Sequence, residues 1–112
     1  MNFDVQEDQG VVILTLKGEM VGGPDAVVLS EKLHQLIAED KAKVVVDMSQ
    51  VRWMNSSGLG ILIGGLNTVR KVRGDLKLCG LTEKPRHLMK ITQLDKVFDI
   101  CNTKEEAVER FI

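Results

Sequence analysis

The tripeptide Val44-Val45-Val46 restricts the fold more than any other stretch of the chain. Three consecutive β-branched residues with no polar alternation describe a strand without a solvent face, so apolar cover is needed on both sides. Segments of helical period flank it. Ala26, Leu29, Leu33, Leu36 and Ile37 precede it, and Leu59, Leu62, Ile63, Leu66, Val69 and Val72 follow. Each set recurs at a spacing that gathers one apolar stripe on one helix. A buried strand between two amphipathic helices implies an α/β architecture with helices packed against a central sheet.

The remaining elements follow from turn chemistry. Phe3 to Gln6 and Val11 to Leu16 read as a hairpin joined by Glu7-Asp8-Gln9-Gly10. Lys17-Gly18 closes the second strand, residues 19–23 form a loop, and Pro24 fits the first position of a helix. Asp47-Met48-Ser49 ends the valine strand. Gly74-Asp75 stops the second helix before a strand at Leu76 to Cys79. Pro85 to Ile91 fits a third helix and Val97 to Ile100 a fifth short strand. Thr103 and Glu106 make a capping box for a last helix from Lys104 to Phe111. The chain carries no linker and no internal repeat. The expectation is one domain over residues 1–112, a central mixed sheet of about five strands flanked by about four helices.

Length and composition exclude several function classes. A chain of 112 residues and 12.4 kDa buries about two-thirds of its unfolded surface, enough for one core and too little for two domains. No apolar run approaches the roughly 20 residues of a membrane span. The N-terminus has neither the basic nor the apolar region of a secretory signal, so a cytoplasmic protein is expected. Residues 1–40 hold eight acids against two bases, and residues 41–90 ten bases against three acids. A nucleic-acid binder would join such a basic segment to aromatics; here there are one Trp, no Tyr and three Phe. Arg70, Lys71 and Arg73 read instead as cations at a helix C-terminus, where the dipole favours them. Cys79 and Cys101 have no Cys-x-x-Cys spacing, and His34 and His87 complete no ligand pattern, so no metal or cofactor is expected.

The informative segment begins where the valine strand ends. Asn55-Ser56-Ser57 opens the second helix, and Asn and Ser side chains cap helix N-termini by accepting orphan N–H groups. Two uses of Ser56 and Ser57 stay open. They are simple caps, or they are exposed serines at the positive end of a helix, where a phosphate would be tolerated. Gly58, Gly60, Gly64 and Gly65 lie in the same helix, each interior Gly costing roughly 0.8–1 kcal/mol relative to Ala. Gly60 and Gly64 share a face, for tight packing on the sheet or for a partner's close approach. Trp53 and Met54 are either an exposed apolar patch or buried beneath the loop. Catalysis has little support: there is no phosphate loop, no Gly-x-Ser-x-Gly elbow, and no base predicted beside either serine.

The segment Asp47-Met48-Ser49…Met54-Asn55-Ser56-Ser57-Gly58-Leu59-Gly60 resembles the signature of STAS domains, specifically the bacterial anti-sigma factor antagonists. The order of elements over nearly the whole chain and the stretch Leu94-Asp95-Lys96-Val97-Phe98 are similar to that family too. The resemblance implies a phospho-regulated binding module and not an enzyme. Unphosphorylated, it would bind an anti-sigma factor that is also a Ser/Thr kinase, freeing a sigma factor. Phosphorylation of Ser57 would abolish binding, and a Ser/Thr phosphatase would restore it. Ser57 is then the switch, with Asp47, Asn55, Ser56, Gly58 and Gly60 as the partner-binding surface. Asn55 stands where the family pattern often has Asp, keeping the cap and removing a charge. Two other readings remain: a non-phosphorylated STAS subunit regulating a transporter ATPase, and a nucleotide-binding or hydrolytic protein.

Overall fold

The computed structural model describes residues 2–112. From the N-terminus run β1 (Asn2–Asp8), β2 (Val11–Lys17), α1 (Pro24–Ala38), β3 (Lys43–Gln50), α2 (Ser56–Arg70) and β4 (Asp75–Cys79). They are followed by α3 (Glu83–Ile91), a 3-10 turn at Leu94–Lys96, β5 (Asp99–Cys101) and α4 (Lys104–Glu109). The strands form one mixed sheet in the order β1-β2-β3-β4-β5. Strand β1 is antiparallel to β2, and the remaining pairs are parallel.

The three valines occupy the middle of this sheet, in β3, and all are fully buried. Val44 and Val46 face one side, where Leu14, Leu16, Leu76 and Leu78 meet the leucines of α1 and α2 and Met89 of α3. Val45 faces the other, where Ile13, Cys79 and Cys101 are covered by Ala107 and Val108 of α4. Side chains alternate across a strand, so a run of three valines needs helices on both faces, and it has them.

Several boundaries differ from the sequence expectation, each for a local reason. The hairpin strand β1 runs on to Asp8, leaving only Gln9 (φ 53°) and Gly10 (φ 82°) in the turn. Two positive φ values in a two-residue loop match the strand twist, as in a type I′ turn. Strand β3 continues past Asp47 to Gln50, because Met48 still buries its side chain. Helix α3 starts two residues ahead of Pro85, whose missing N–H falls in a first turn where that group has no helical partner. Val97 and Phe98 belong to the turn after Leu94–Lys96, and Phe98 is buried there, so β5 is only Asp99–Cys101.

The last helix is tied down through charge. Thr103 Oγ1 accepts the Glu106 N–H at 3.1 Å, while the Glu106 carboxylate is held by Arg110 at 3.1 Å. Lys77 is 8% exposed, donates to Asp75 at 3.3 Å and to Asp99 at 3.0 Å, and lies 4.6 Å from the centre of the Phe111 ring. Arg110 adds an ion pair to Asp99.

Candidate functional site

Helix α2 begins at Ser56 because Asn55 caps it. Asn55 has an extended backbone (φ −112°, ψ −174°), its Oδ1 accepts the Gly58 N–H at 3.0 Å, and its carbonyl accepts the Leu59 N–H at 3.1 Å. The side chain thereby satisfies one of the four orphan donors of the helix start, and the carbonyl accepts the first bond of the helix itself. Ser56 and Ser57 follow, both exposed. The first turn contains no acidic residue, so the positive end of the dipole has no anionic partner in the helix itself.

The loop between β2 and α1 is clamped against this helix start. Met20 N–H donates to the Trp53 carbonyl at 3.2 Å, and Asn55 N–H donates to the Met20 carbonyl at 3.2 Å. Asn55 Nδ2 adds a longer bond to the Val21 carbonyl at 3.4 Å, and Met20 and Met54 form an isolated parallel bridge. The fit requires glycine twice. A Cβ on Gly58 would stand 2.3 Å from the Met20 carbonyl oxygen. Gly22 is buried with φ +96°, and a Cβ there would stand 2.8 Å from the Ser57 Cβ.

The structure therefore gathers Asn55, Ser56, Ser57 and Gly58 at one helix end, with Gly60 one turn along and open to solvent. Gly58 is buried beneath the chain's own loop. The Asp47 side chain is placed differently. It lies in register between Thr15 and Cys79, on the sheet face that carries α4 and not α2, and its Oδ1 accepts the Ser49 N–H at 3.0 Å. The two readings of Trp53 and Met54 divide. Trp53 is 41% exposed, and Met54 is buried.

Among the described residues no histidine or carboxylate hydrogen-bonds to Ser57. His34 is occupied 2.8 Å from the Ser30 carbonyl on α1. A hydroxyl without a base is a weak nucleophile. The thiols are equally quiet. Burial pushes the Cys79 thiol up to about 12, reinforced by the charge of Asp47, and burial also raises Cys101. The described residues contain no group of three or more His, Cys, Asp or Glu able to hold a metal, and no helix long and apolar enough to cross a membrane.

Met20 and Gly22 shape the site without having been expected to. The available signal was Gly22-Gly23, a pair permitting positive φ at the entrance to α1. What it could not disclose is that the loop folds back onto a helix more than thirty residues further along.

Residues 2–107 match the family model for the STAS domain. The anti-sigma-B factor antagonist of Bacillus subtilis is 35% identical over 109 residues, covering 97% of this chain and 98% of that protein. Among solved structures, a putative anti-sigma factor antagonist from Thermotoga maritima superimposes with a TM-score of 0.87 at 23% identity, covering 96% and 92% of the two chains. The anti-sigma factor antagonist SpoIIAA, solved unphosphorylated and phosphorylated, gives TM-scores of 0.75 and 0.74 at 20% identity. It covers 98% of this chain and 97% of its own in the first form, and 99% and 100% in the second.

Proposed function

The chain belongs to the STAS domain family, and on that premise we propose that it is an anti-sigma factor antagonist switched by phosphorylation of Ser57. In the unphosphorylated state it binds an anti-sigma factor that carries Ser/Thr kinase activity, and this releases a sigma factor in the cytoplasm. The kinase transfers a phosphoryl group to Ser57 and the complex dissociates; a Ser/Thr phosphatase returns the chain to its binding form.

The observation that carries the reading is the exposed Ser57 hydroxyl in the first turn of a capped helix that has no acidic residue there. A phosphate at that position adds about −1.5 to −2 charge and three acceptor oxygens. The helix dipole lowers the cost of that charge to the fold. A docked partner has no such compensation, since it would have to bury the phosphate at the contact. The same modification thus leaves the domain folded and removes it from its complex. Asn55 supports this by capping without a charge of its own, leaving the helix end free for the phosphate.

Ser56, Ser57 and Gly60 form the exposed part of the proposed contact surface. Asn55 and Gly58 hold its shape, and Asp47, turned to the other sheet face, lies outside it. The relative matched over 98% of its own length, at 35% identity, favours this reading over a transporter ATPase subunit. Affinity purification from the native cell with wild-type, Ser57→Ala and Ser57→Glu baits tests it. Retention of a kinase-type anti-sigma factor by the first two baits and its loss by the third is expected. A transporter ATPase retained by all three would replace the reading.

A further inference from the structure

We propose that the anti-sigma factor contact extends from Ser57 down the exposed face of α2, and that an apolar side chain of that partner seats in the groove between α1 and α2 above Gly64. The proposal rests on the reading of the chain as an anti-sigma factor antagonist and names the part of the partner that the surface accepts.

A groove of about 210 Å³ separates the two helices, with Ala26 and Leu33 on one wall and Ile61, Gly64 and Thr68 on the other. Ser57, Ile61, Gly64 and Thr68 follow one another at steps of four, three and four along α2, so they share one stripe. Gly60, three residues on from the switch serine, also lines the groove. The groove falls below the roughly 300–1,000 Å³ of a small-molecule pocket and suits one inserted side chain.

Packing explains two of the α2 glycines and leaves two unexplained. Gly58 admits the Met20 carbonyl, and Gly65 admits the methyls of Leu33 and Leu76. Gly60 and Gly64 have nothing within 4 Å of where a Cβ would stand, so the fold gains nothing from their bareness. What their bareness makes is the groove.

Charge gives a second, independent indication. From Trp53 to Val69 the chain carries no Asp, Glu, Lys, Arg or His, in a protein that is 28% charged. The stretch includes exposed positions Ser56, Ser57, Gly60, Gly64 and Asn67. An uncharged solvent face over four helical turns is the composition of a protein interface core, which is depleted of charge and enriched in aromatics. Trp53 (41% exposed) and Val21 (42%) lie in the segments clamped together at the start of α2, and Val27 (57%) stands on α1, the kind of apolar anchors on which interface energy concentrates. The partner, and not a second copy, is the occupant that the switch requires. A phosphate on Ser57 would bring charge beside a surface built without it.

The test uses the purified anti-sigma factor of the same bacterium and the full chain. Gly64→Leu fills the groove from open space, Ser57→Glu reports on the switch, and Glu109→Leu on α4 is a distant control. Expected are binding by wild type and Glu109→Leu, loss by Ser57→Glu, and an affinity about tenfold or more weaker for Gly64→Leu with a urea midpoint no lower than that of wild type. Thr68→Arg, which charges the far end of the groove, carries the same expectation should Gly64→Leu fold poorly. Wild-type affinity in both groove variants, with Ser57→Glu still defective, overturns the groove and leaves the switch standing. No binding by wild type overturns both. Wild-type self-association that Gly64→Leu abolishes, with partner affinity unchanged, assigns the groove to a second copy and also overturns the proposal.

Discussion

An alanine scan of the four α2 glycines should separate them into opposite signs. Replacing an interior helical Gly by Ala contributes about 0.8–1 kcal/mol when the new methyl meets nothing. Gly60 and Gly64 meet that condition. Each alanine should therefore stabilise the domain by about 1 kcal/mol, a rise in Tm of roughly 3–5 °C for a chain of this size. Gly58→Ala has the same helix gain available but places its Cβ 2.3 Å from the Met20 carbonyl oxygen. A backbone carbonyl cannot rotate away as a side chain can. The loop must lift, stretching the Met20–Trp53 and Asn55–Met20 bonds, each contributing about 1 kcal/mol. Overpacking adds about 1–3 kcal/mol, so a net loss of about 1–3 kcal/mol is expected. Gly65→Ala falls between, because the Leu33 and Leu76 methyls at 3.0 and 3.3 Å can shift. Urea unfolding of the four variants measures the series. Equal stability of Gly58→Ala and Gly60→Ala would refute the loop clamp, and destabilisation by Gly60→Ala or Gly64→Ala would refute the open groove.

Three further outcomes follow from other parts of the molecule. Asn55→Ala removes the acceptor of the Gly58 N–H and should cost about 1 kcal/mol, with hydrogen exchange faster at Gly58 than in the C-terminal half of α2; uniform protection would count against the cap. At Asp99, burial raises the carboxyl, but Lys77 and Arg110 outweigh it and hold the group below its ordinary value. A depressed carboxylate stabilises above its unfolded pKa of about 3.9 and loses that contribution as pH falls through the folded value. Asp99→Asn should accordingly lower the urea midpoint at pH 7, and the gap to wild type should close as pH falls below about 4; a gap independent of pH would contradict this. A Cys79 thiol at about 12 is almost entirely protonated at pH 8, so an aromatic disulfide reagent should react with the native chain only at the rate of unfolding. Immediate reaction of either cysteine would mean that the α4 face is open.

The layered fold was legible because it depends on short-range pattern. Three valines demanded two covered faces, and leucine spacing located α1 and α2. The serines were legible as a helix start because Asn55 caps locally, within three residues. The loop clamp was not legible, since the approach of Met20 to Gly58 joins residues 38 positions apart and leaves only a glycine as its trace. The same limit applied to Asp47. Its place at the strand end suggested nearness to the serines, but side-chain alternation along β3 turns it to the other face of the sheet. The length of β5 was misjudged for a related reason: the alternation of Val97 to Ile100 suits a strand, and only the 3-10 turn at Leu94–Lys96 takes Val97 and Phe98 out of the ladder.

Phosphorylation at Ser57 is best tested by calorimetric titration of the purified anti-sigma factor with two homogeneous forms of the chain, one unmodified and one carrying phosphoserine at position 57. Saturable binding by the unmodified form, and affinity at least about 100-fold weaker for the phosphorylated form with an unchanged circular dichroism spectrum, is the predicted result; that ratio corresponds to about 2.7 kcal/mol. Equal affinities, or a phosphorylated chain that has lost its fold, would contradict a switch acting through the surface at the start of α2.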